Sequence, residues 1–246
     1  MAKIIAIVSG KGGTGKSTIS AAIGYSYAKK GASVLICDLD IGLRSLDILL
    51  GLQDRVVYDL GDVLEKRIKW PDACAKHKAY SGFHLLSTPV SVTKNFDVFK
   101  TIEIIKKASK EYDYVILDLP AGLGLSVIMA KEICDEVCIV STPDAVTIRD
   151  SRKICDEIAF SCSVSTRLII NHVSKSSIIT SGIKNLDEII DAVGVPLIAV
   201  IKEDEWIKSY FALEPVKPCL KETTLVFDAI IKRLENEYVP LIVKTV

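Results

Sequence analysis

The chain has 246 residues, with 31 basic and 31 acidic side chains and a formal net charge of zero. At 49% apolar and 25% charged residues it has the composition of an ordinary globular protein, long enough for one large or two small domains. The balanced charge lacks the basic bias of nonspecific nucleic-acid binders, so nucleic acid is an unlikely partner.

Mean hydropathy is high, at +0.33. No uncharged apolar run approaches the roughly 18 residues that a membrane span needs, so the apolar residues are expected in interior strands. The opening segment Met1–Val8 lacks the length and cleavage site of a secretory signal and reads as a buried first strand. A cytoplasmic location is expected.

In chain order, short apolar runs alternate with helical patterns. Strand Ile4–Val8 precedes helix Ser17–Lys30, whose last turn is cationic and is followed by Gly31, a C′ glycine. Strands Val34–Cys37 and Phe83–Ser87 come next, then helix Asp97–Lys110, strand Tyr114–Leu117 and helix Ser126–Glu132. Strand Val137–Val140, helix Ala145–Phe160, strand Leu168–Ile170, helix Asn185–Val193, strand Leu197–Ile201 and helix Glu222–Glu237 complete the series. Strands that are apolar at successive positions are buried on both faces, as in a parallel sheet covered by helices. The alternation predicts a doubly wound, mostly parallel α/β sheet with helices on both faces. Residues 1–237 are expected to form one domain and 238–246 a tail. The stretch Ile68–Ser81 is less regular and is expected at the surface.

Seven cysteines are present, with no Cys-x-x-Cys spacing, and the three histidines show no His-x-x-x-His spacing. Reduced, buried cysteines in a cytosolic protein are the expected arrangement, and no zinc site is expected.

Gly10-Lys11-Gly12-Gly13-Thr14-Gly15-Lys16-Ser17 fits the phosphate-binding loop G-x-x-x-x-G-K-[ST]. Successive backbone N–H groups must curl round phosphate oxygens, which side chains at the glycine positions would obstruct. Lys16 places an ammonium near the β and γ phosphates. The Ser17 hydroxyl offers Mg²⁺ a hard oxygen ligand, with Thr18 following it in the opening turn of a helix whose positive end favours anions. The loop follows an apolar strand and precedes a helix, as this motif requires. ATP or ADP with Mg²⁺ is therefore the expected ligand.

Acids follow two later strands. Asp38 and Asp40 stand after Val34–Cys37, and Asp118 after Tyr114–Leu117. In open α/β sheets such strand ends face the ligand crevice. Apolar strand followed by aspartate is the Walker B pattern, which puts Asp118 in the Mg²⁺ shell. Pro120-Ala121-Gly122 would form a loop that senses the γ-phosphate through a backbone N–H.

The second lysine of the loop, Lys11, makes it resemble the deviant Walker A motif of the MinD/ParA family of P-loop ATPases. The segment Asp40-Ile41-Gly42-Leu43-Arg44-Ser45-Leu46-Asp47 is most similar to the MinD branch, and Arg149-Asp150-Ser151 resembles its dimer-face segment. The resemblance implies ATP hydrolysis in an ATP-dependent homodimer, with protein partners on a surface that exists in the ATP state. Cell-division site placement, or a related positioning process, is the implied function. DNA partitioning and a metallocluster or biosynthetic ATPase are the alternatives. By the same resemblance, Lys11 reaches the partner's nucleotide, Asp38 organises Mg²⁺ through water, Asp40 positions the attacking water and Asn171 bonds the adenine edge. The family's basic C-terminal membrane helix has no match here. Residues 238–246 carry one lysine, and Pro240 would break a helix. Peripheral contact with the inner membrane face is therefore left without its usual device.

Overall fold

A computed structural model describes residues 1–42, 44–89, 96–211 and 218–241, so Leu43 and the last five residues of the tail lie outside the described residues. In chain order the elements are β1 (Lys3–Val8), α1 (Lys16–Lys29), β2 (Val34–Asp38), α2 (Ser45–Leu49), α3 (Leu60–Leu64), β3 (Ala75–Lys76), β4 (Phe83–Leu86), α4 (Val98–Ala108) and β5 (Tyr114–Asp118). They continue with α5 (Gly124–Ile133), β6 (Glu136–Ser141), α6 (Ala145–Ser161), β7 (Ser165–Val173), α7 (Lys175–Ser181), α8 (Leu186–Val193), β8 (Leu197–Lys202) and α9 (Lys221–Leu234). The strands form one sheet in the order β3-β4-β2-β5-β1-β6-β7-β8. Every neighbouring pair is parallel except β3 with β4.

Strand alternation divides the core into two layers. Ala6 and Val8 of β1 pack with Leu35, Leu117 and Ile139 under residues of α4, α5, α6 and α8. Ile5 and Ile7 pack on the other face with Ile36, Ile116 and Val140 under α1 and α9. Both faces are thus covered, which is why these strands read as unbroken apolar runs. The chain after β1 goes to β2 on one side, and the chain after β5 goes to β6 on the other. The order reverses beside β1, and the crevice outside its C-terminal end is where such sheets bind ligands.

Helix ends follow local chemistry. After α1 the Gly31 N–H donates to Ala28 O (3.0 Å) and the Ala32 N–H to Tyr27 O (3.2 Å), with Gly31 at φ +89°. This satisfies the orphan carbonyls of the last turn, as the sequence predicts. Asp144 caps α6 and Asn185 caps α8, each accepting an N–H at 3.0 Å.

Some elements differ from expectation. The helices α2, α3 and α7 were not predicted, because five to seven residues do not complete an amphipathic repeat. The stretch 68–81 is not simply surface. It holds a short 3₁₀ turn, Trp70–Ala73, and the edge strand β3, with Ala75 buried. His77 is also buried, its Nδ1 accepting the N–H groups of Ala79 and Tyr80. Cys134 caps α5 while Cys138 lies in β6, and all seven thiols are free. Among the described residues no helix is long and apolar enough to cross a membrane.

The described part of the tail is tied to the body. The Arg233 guanidinium donates to the carbonyls of Val239 (3.0 Å), Pro240 (2.7 Å) and Ile198 on the edge strand β8. Leu241 lines a small surface cavity together with Ala199, Val200 and Ala229. Replacing Arg233 by Met removes these bonds and should lower unfolding free energy by about 2 kcal/mol in urea denaturation. An unchanged midpoint would show that the tail adds nothing to stability.

Candidate functional site

The loop between β1 and α1 crosses the reversal point of the sheet. It is clamped from three sides. The Asn171 side-chain amide, two residues before the end of β7 and 3% exposed, donates to Thr14 O at 2.8 Å. The Gly122 N–H donates to Ser9 O (2.9 Å), and the Ser9 hydroxyl donates to Lys11 O (2.7 Å). α6 presses on the loop's start. A Cβ at Gly10 would lie 2.4 Å from Asp150 Cβ, and one at Gly15 would lie 2.3 Å from the Asn171 amide nitrogen. Gly15 also stands at φ +89°, so glycine is required there for conformation and for space.

α1 begins directly after this turn with no side-chain cap. Its first N–H groups and the positive end of its dipole are left for an anion. They open into a cleft of about 670 Å³ lined by Gly12, Gly13, Gly15, Lys16, Ser17, Thr18 and Asp40. Pro120 and Ala121 of the expected γ-phosphate-sensing loop also line it, as do Ser45, Ile48, Leu49 and Lys208, four residues to which the sequence reading had given no binding or catalytic role. Lys16 is 7% exposed, its stem buried.

Beside the loop, Asp38 and Asp118 are register partners at the ends of β2 and β5. Both are buried. Asp38 accepts the N–H groups of Asp40 and Leu46 at 3.2 Å each. Burial nevertheless pushes its carboxyl up to about 6, with Asp40 and Asp47 adding repulsion. Asp118 Oδ1 accepts the Ser20 hydroxyl at 3.0 Å, while its buried Oδ2 has no hydrogen-bond partner among the described residues. Burial and the charge of Asp38 push Asp118 up to about 7, against the lowering pull of the Ser17 hydroxyl and Lys16. A buried carboxylate oxygen without a hydrogen-bond partner, on an acid whose register partner is a second acid, suits a hard divalent cation such as Mg²⁺, which takes a few protein oxygens and keeps phosphate and water as other ligands.

Lys11 is exposed, and its charge acts on Asp144 at the start of α6. Burial alone would raise the Asp144 carboxyl, but the Thr142 hydroxyl, the Thr147 N–H and Lys11 outweigh it and hold it below the ordinary range. The structure therefore brings Gly10–Thr18, Asp38, Asp40, Asp118, Gly122 and Asn171 to one end of the sheet. It leaves Lys11 facing outward, and it engages the Gly122 N–H and the Asn171 amide with the loop itself.

The raised acids predict a pH dependence. An unfolded aspartate titrates near 3.9, so between about pH 4 and 7 these two acids hold more protons in the folded state than in the unfolded chain, while the lowered His77 and His84 act in the opposite sense. The contribution of the pair to the stability of the nucleotide-free protein then falls as pH rises through this window and levels off above it. Asp118→Asn should flatten that fall and raise stability at pH 8, read by thermal or urea unfolding. A wild-type slope in the variant would contradict the assignment.

A family model described as ParA, NUBPL iron-transfer P-loop NTPase, matches residues 1–182. The septum site-determining protein MinD of Bacillus subtilis is 32% identical over 247 residues, covering 98% of this chain and 92% of that protein. MinD of Helicobacter pylori is 32% identical, covering 97% and 92%. Among solved structures, the MinC:MinD cell division protein complex of Aquifex aeolicus has a chain superposing with a TM-score of 0.82 at 32% identity, covering 98% of both chains. MinD of Pyrococcus horikoshii, complexed with Mg-ADP, superposes at 0.79 with 29% identity, covering 96% of both.

Proposed function

This chain belongs to the ParA family of P-loop NTPases and is MinD-like, and from that premise we propose that it binds and hydrolyses Mg·ATP, dimerises in the ATP state and then recruits a regulatory protein partner. Cell-division site placement is the process this supports. The observation that carries the reading is the buried pair Asp38 and Asp118 set beside an uncapped α1 N-terminus and Lys16.

The residues divide the work. The loop N–H groups and Lys16 hold the phosphates, Thr18 extends that contact along the first turn of α1, and Asn171 stands at the adenine end. Asp118, Asp38 and Ser17 would hold Mg²⁺, whose charge, when bound, offsets that of the phosphate oxygens. Asp40 orients the attacking water. Its oxygen bonds to the γ-phosphorus, the bond to the ADP oxygen breaks, and the water's protons pass to phosphate and solvent. Such transfer demands positioning and charge neutralisation more than covalent chemistry. Lys11, which faces outward on one subunit, is the cation supplied to the nucleotide of a second copy. The Gly122 N–H, bonded here to Ser9 O, must leave that carbonyl to reach a γ-phosphate. That exchange would let the loop distinguish ATP from ADP.

Residues 1–237 form the ATPase unit in this reading. The tail 238–246 carries one lysine among mostly apolar residues, an atypical composition for membrane recruitment. The MinC:MinD assembly is a property of the relative; for this chain it supports a protein partner on the dimer surface.

Lys16→Ala should weaken Mg·ADP binding by roughly 100-fold, since it removes charge-assisted bonds to phosphate. Lys11→Ala should keep Mg·ADP binding but lose ATP-dependent dimerisation and roughly 10³-fold of turnover, measured by sedimentation and phosphate release. Wild-type turnover in Lys11→Ala would end the trans-lysine role. Asp40→Ala should accumulate the ATP dimer, and rapid hydrolysis by that variant would remove Asp40 from its role with water.

A further inference from the structure

We propose that Lys208 is a nucleotide-binding residue. It is a cation from late in the chain that holds the phosphate chain of a nucleoside di- or triphosphate in the cleft, and this rests on the nucleotide reading given above. Lys208 lines the same cleft as Gly12, Gly13, Lys16, Ser17 and Thr18, although nearly two hundred residues separate it from the loop.

The backbone that carries Lys208 is fixed at both ends. Before it, the Asp204 carboxylate, 8% exposed, accepts the Trp206 N–H (2.9 Å), the Leu220 N–H (2.9 Å) and the Thr223 hydroxyl (2.6 Å). This joins the segment after β8 to the start of α9. Lys208 then lies in the 3₁₀ turn Ile207–Tyr210. At the end of that turn the Tyr210 hydroxyl shares a 2.8 Å hydrogen bond with Ser26 of α1. Tyr210 is itself buried against Phe227, with ring centroids 5.2 Å apart. The turn is therefore attached to α1, the helix whose N-terminus opens the cleft.

Charge decides what this lysine meets there. Of the residues lining the cleft, Lys16 and Lys208 are the cations and Asp40 is an acid. Lys11 acts on Asp144. Lys208 forms no ion pair among the described residues, and its neighbours across the cleft include the apolar Ile48 and Leu49. A nucleoside di- or triphosphate remains negative with one Mg²⁺ bound. It brings to the cleft the counter-charge that Lys208 lacks. The proposed contact is with the phosphate chain as bound, and not with Mg²⁺ or with the attacking water that Asp40 orients. It strengthens binding and leaves the chemical step unchanged.

Titration of the full chain with Mg·ADP and with a non-hydrolysable Mg·ATP analogue tests this. The set is wild type, Lys208→Ala, Lys208→Arg and Lys16→Ala, each at several salt concentrations. Lys208→Ala should weaken both nucleotides roughly tenfold, with a shallower salt dependence, a raised KM and unchanged kcat. Lys208→Arg should restore most of the affinity. Wild-type affinity and salt slope in Lys208→Ala would overturn the proposal. So would a variant whose only change is a lower melting temperature without nucleotide. If the folded wild type binds neither nucleotide, or Lys16→Ala binds like wild type, the nucleotide reading falls and the proposal with it.

Discussion

Two carboxylates are buried side by side at the ends of β2 and β5, and the surrounding structure is arranged about the cost of that burial. The pairing of Asp38 with Asp118 is a matter of sheet register. A one-residue slip would turn one of them to the other face. Register in turn is fixed by strands buried on both faces, whose side chains enter two separate core layers. Burial makes either acid costly to ionise, and the charge of Asp38 adds to that cost at Asp118, which is why both are pushed up. Lys16, the Ser17 and Ser20 hydroxyls and the open end of α1 reduce the strain only in part. In the proposed function a divalent cation with phosphate ligands would complete the balance, which would make ligand binding and the fold's central constraint one problem.

The same constraint explains why the loop is tied so closely to its neighbours. Asn171 ties it to β7, Gly122 ties it to the segment after β5, and Gly10 meets α6. The elements on both sides of the reversal point therefore meet at one loop. Any change in the Gly122 contact is felt in the segment leading into α5, and any movement of α6 is felt at Gly10. The switch in the proposed function has a concrete form here, a single N–H that serves either Ser9 O or a phosphate.

Much of this was legible in the sequence, because the signals are local. The loop is a contiguous motif, the strands are apolar on both faces, and Asp38, Asp40 and Asp118 directly follow such strands. Gly31, the C′ glycine after α1, also acts within a turn of its own position. What was not legible depends on contacts between distant segments. Lys208 enters the cleft only because Asp204 and Tyr210 attach its turn to α9 and α1. Ile48 and Leu49 arrive on a helix too short to show a period. His77 looked like a surface residue because its partners are backbone N–H groups nearby and rings on β4 and α1. The tail's attachment depends on Arg233, which in sequence looks like any cation in the last turn of a helix.

Proton uptake or release on nucleotide binding tests the carboxylate pair most directly. Calorimetric titration with Mg·ADP in excess Mg²⁺, run at pH 6.5 in buffers of different ionisation enthalpy, counts those protons. A cation drawn to Asp38 and Asp118 requires them ionised, so net proton release is expected at pH 6.5, fading by pH 8.5 and reduced in Asp118→Asn. Tight Mg·ADP binding with no proton release at pH 6.5 would contradict the claim that these two acids carry raised pKa values and receive the metal.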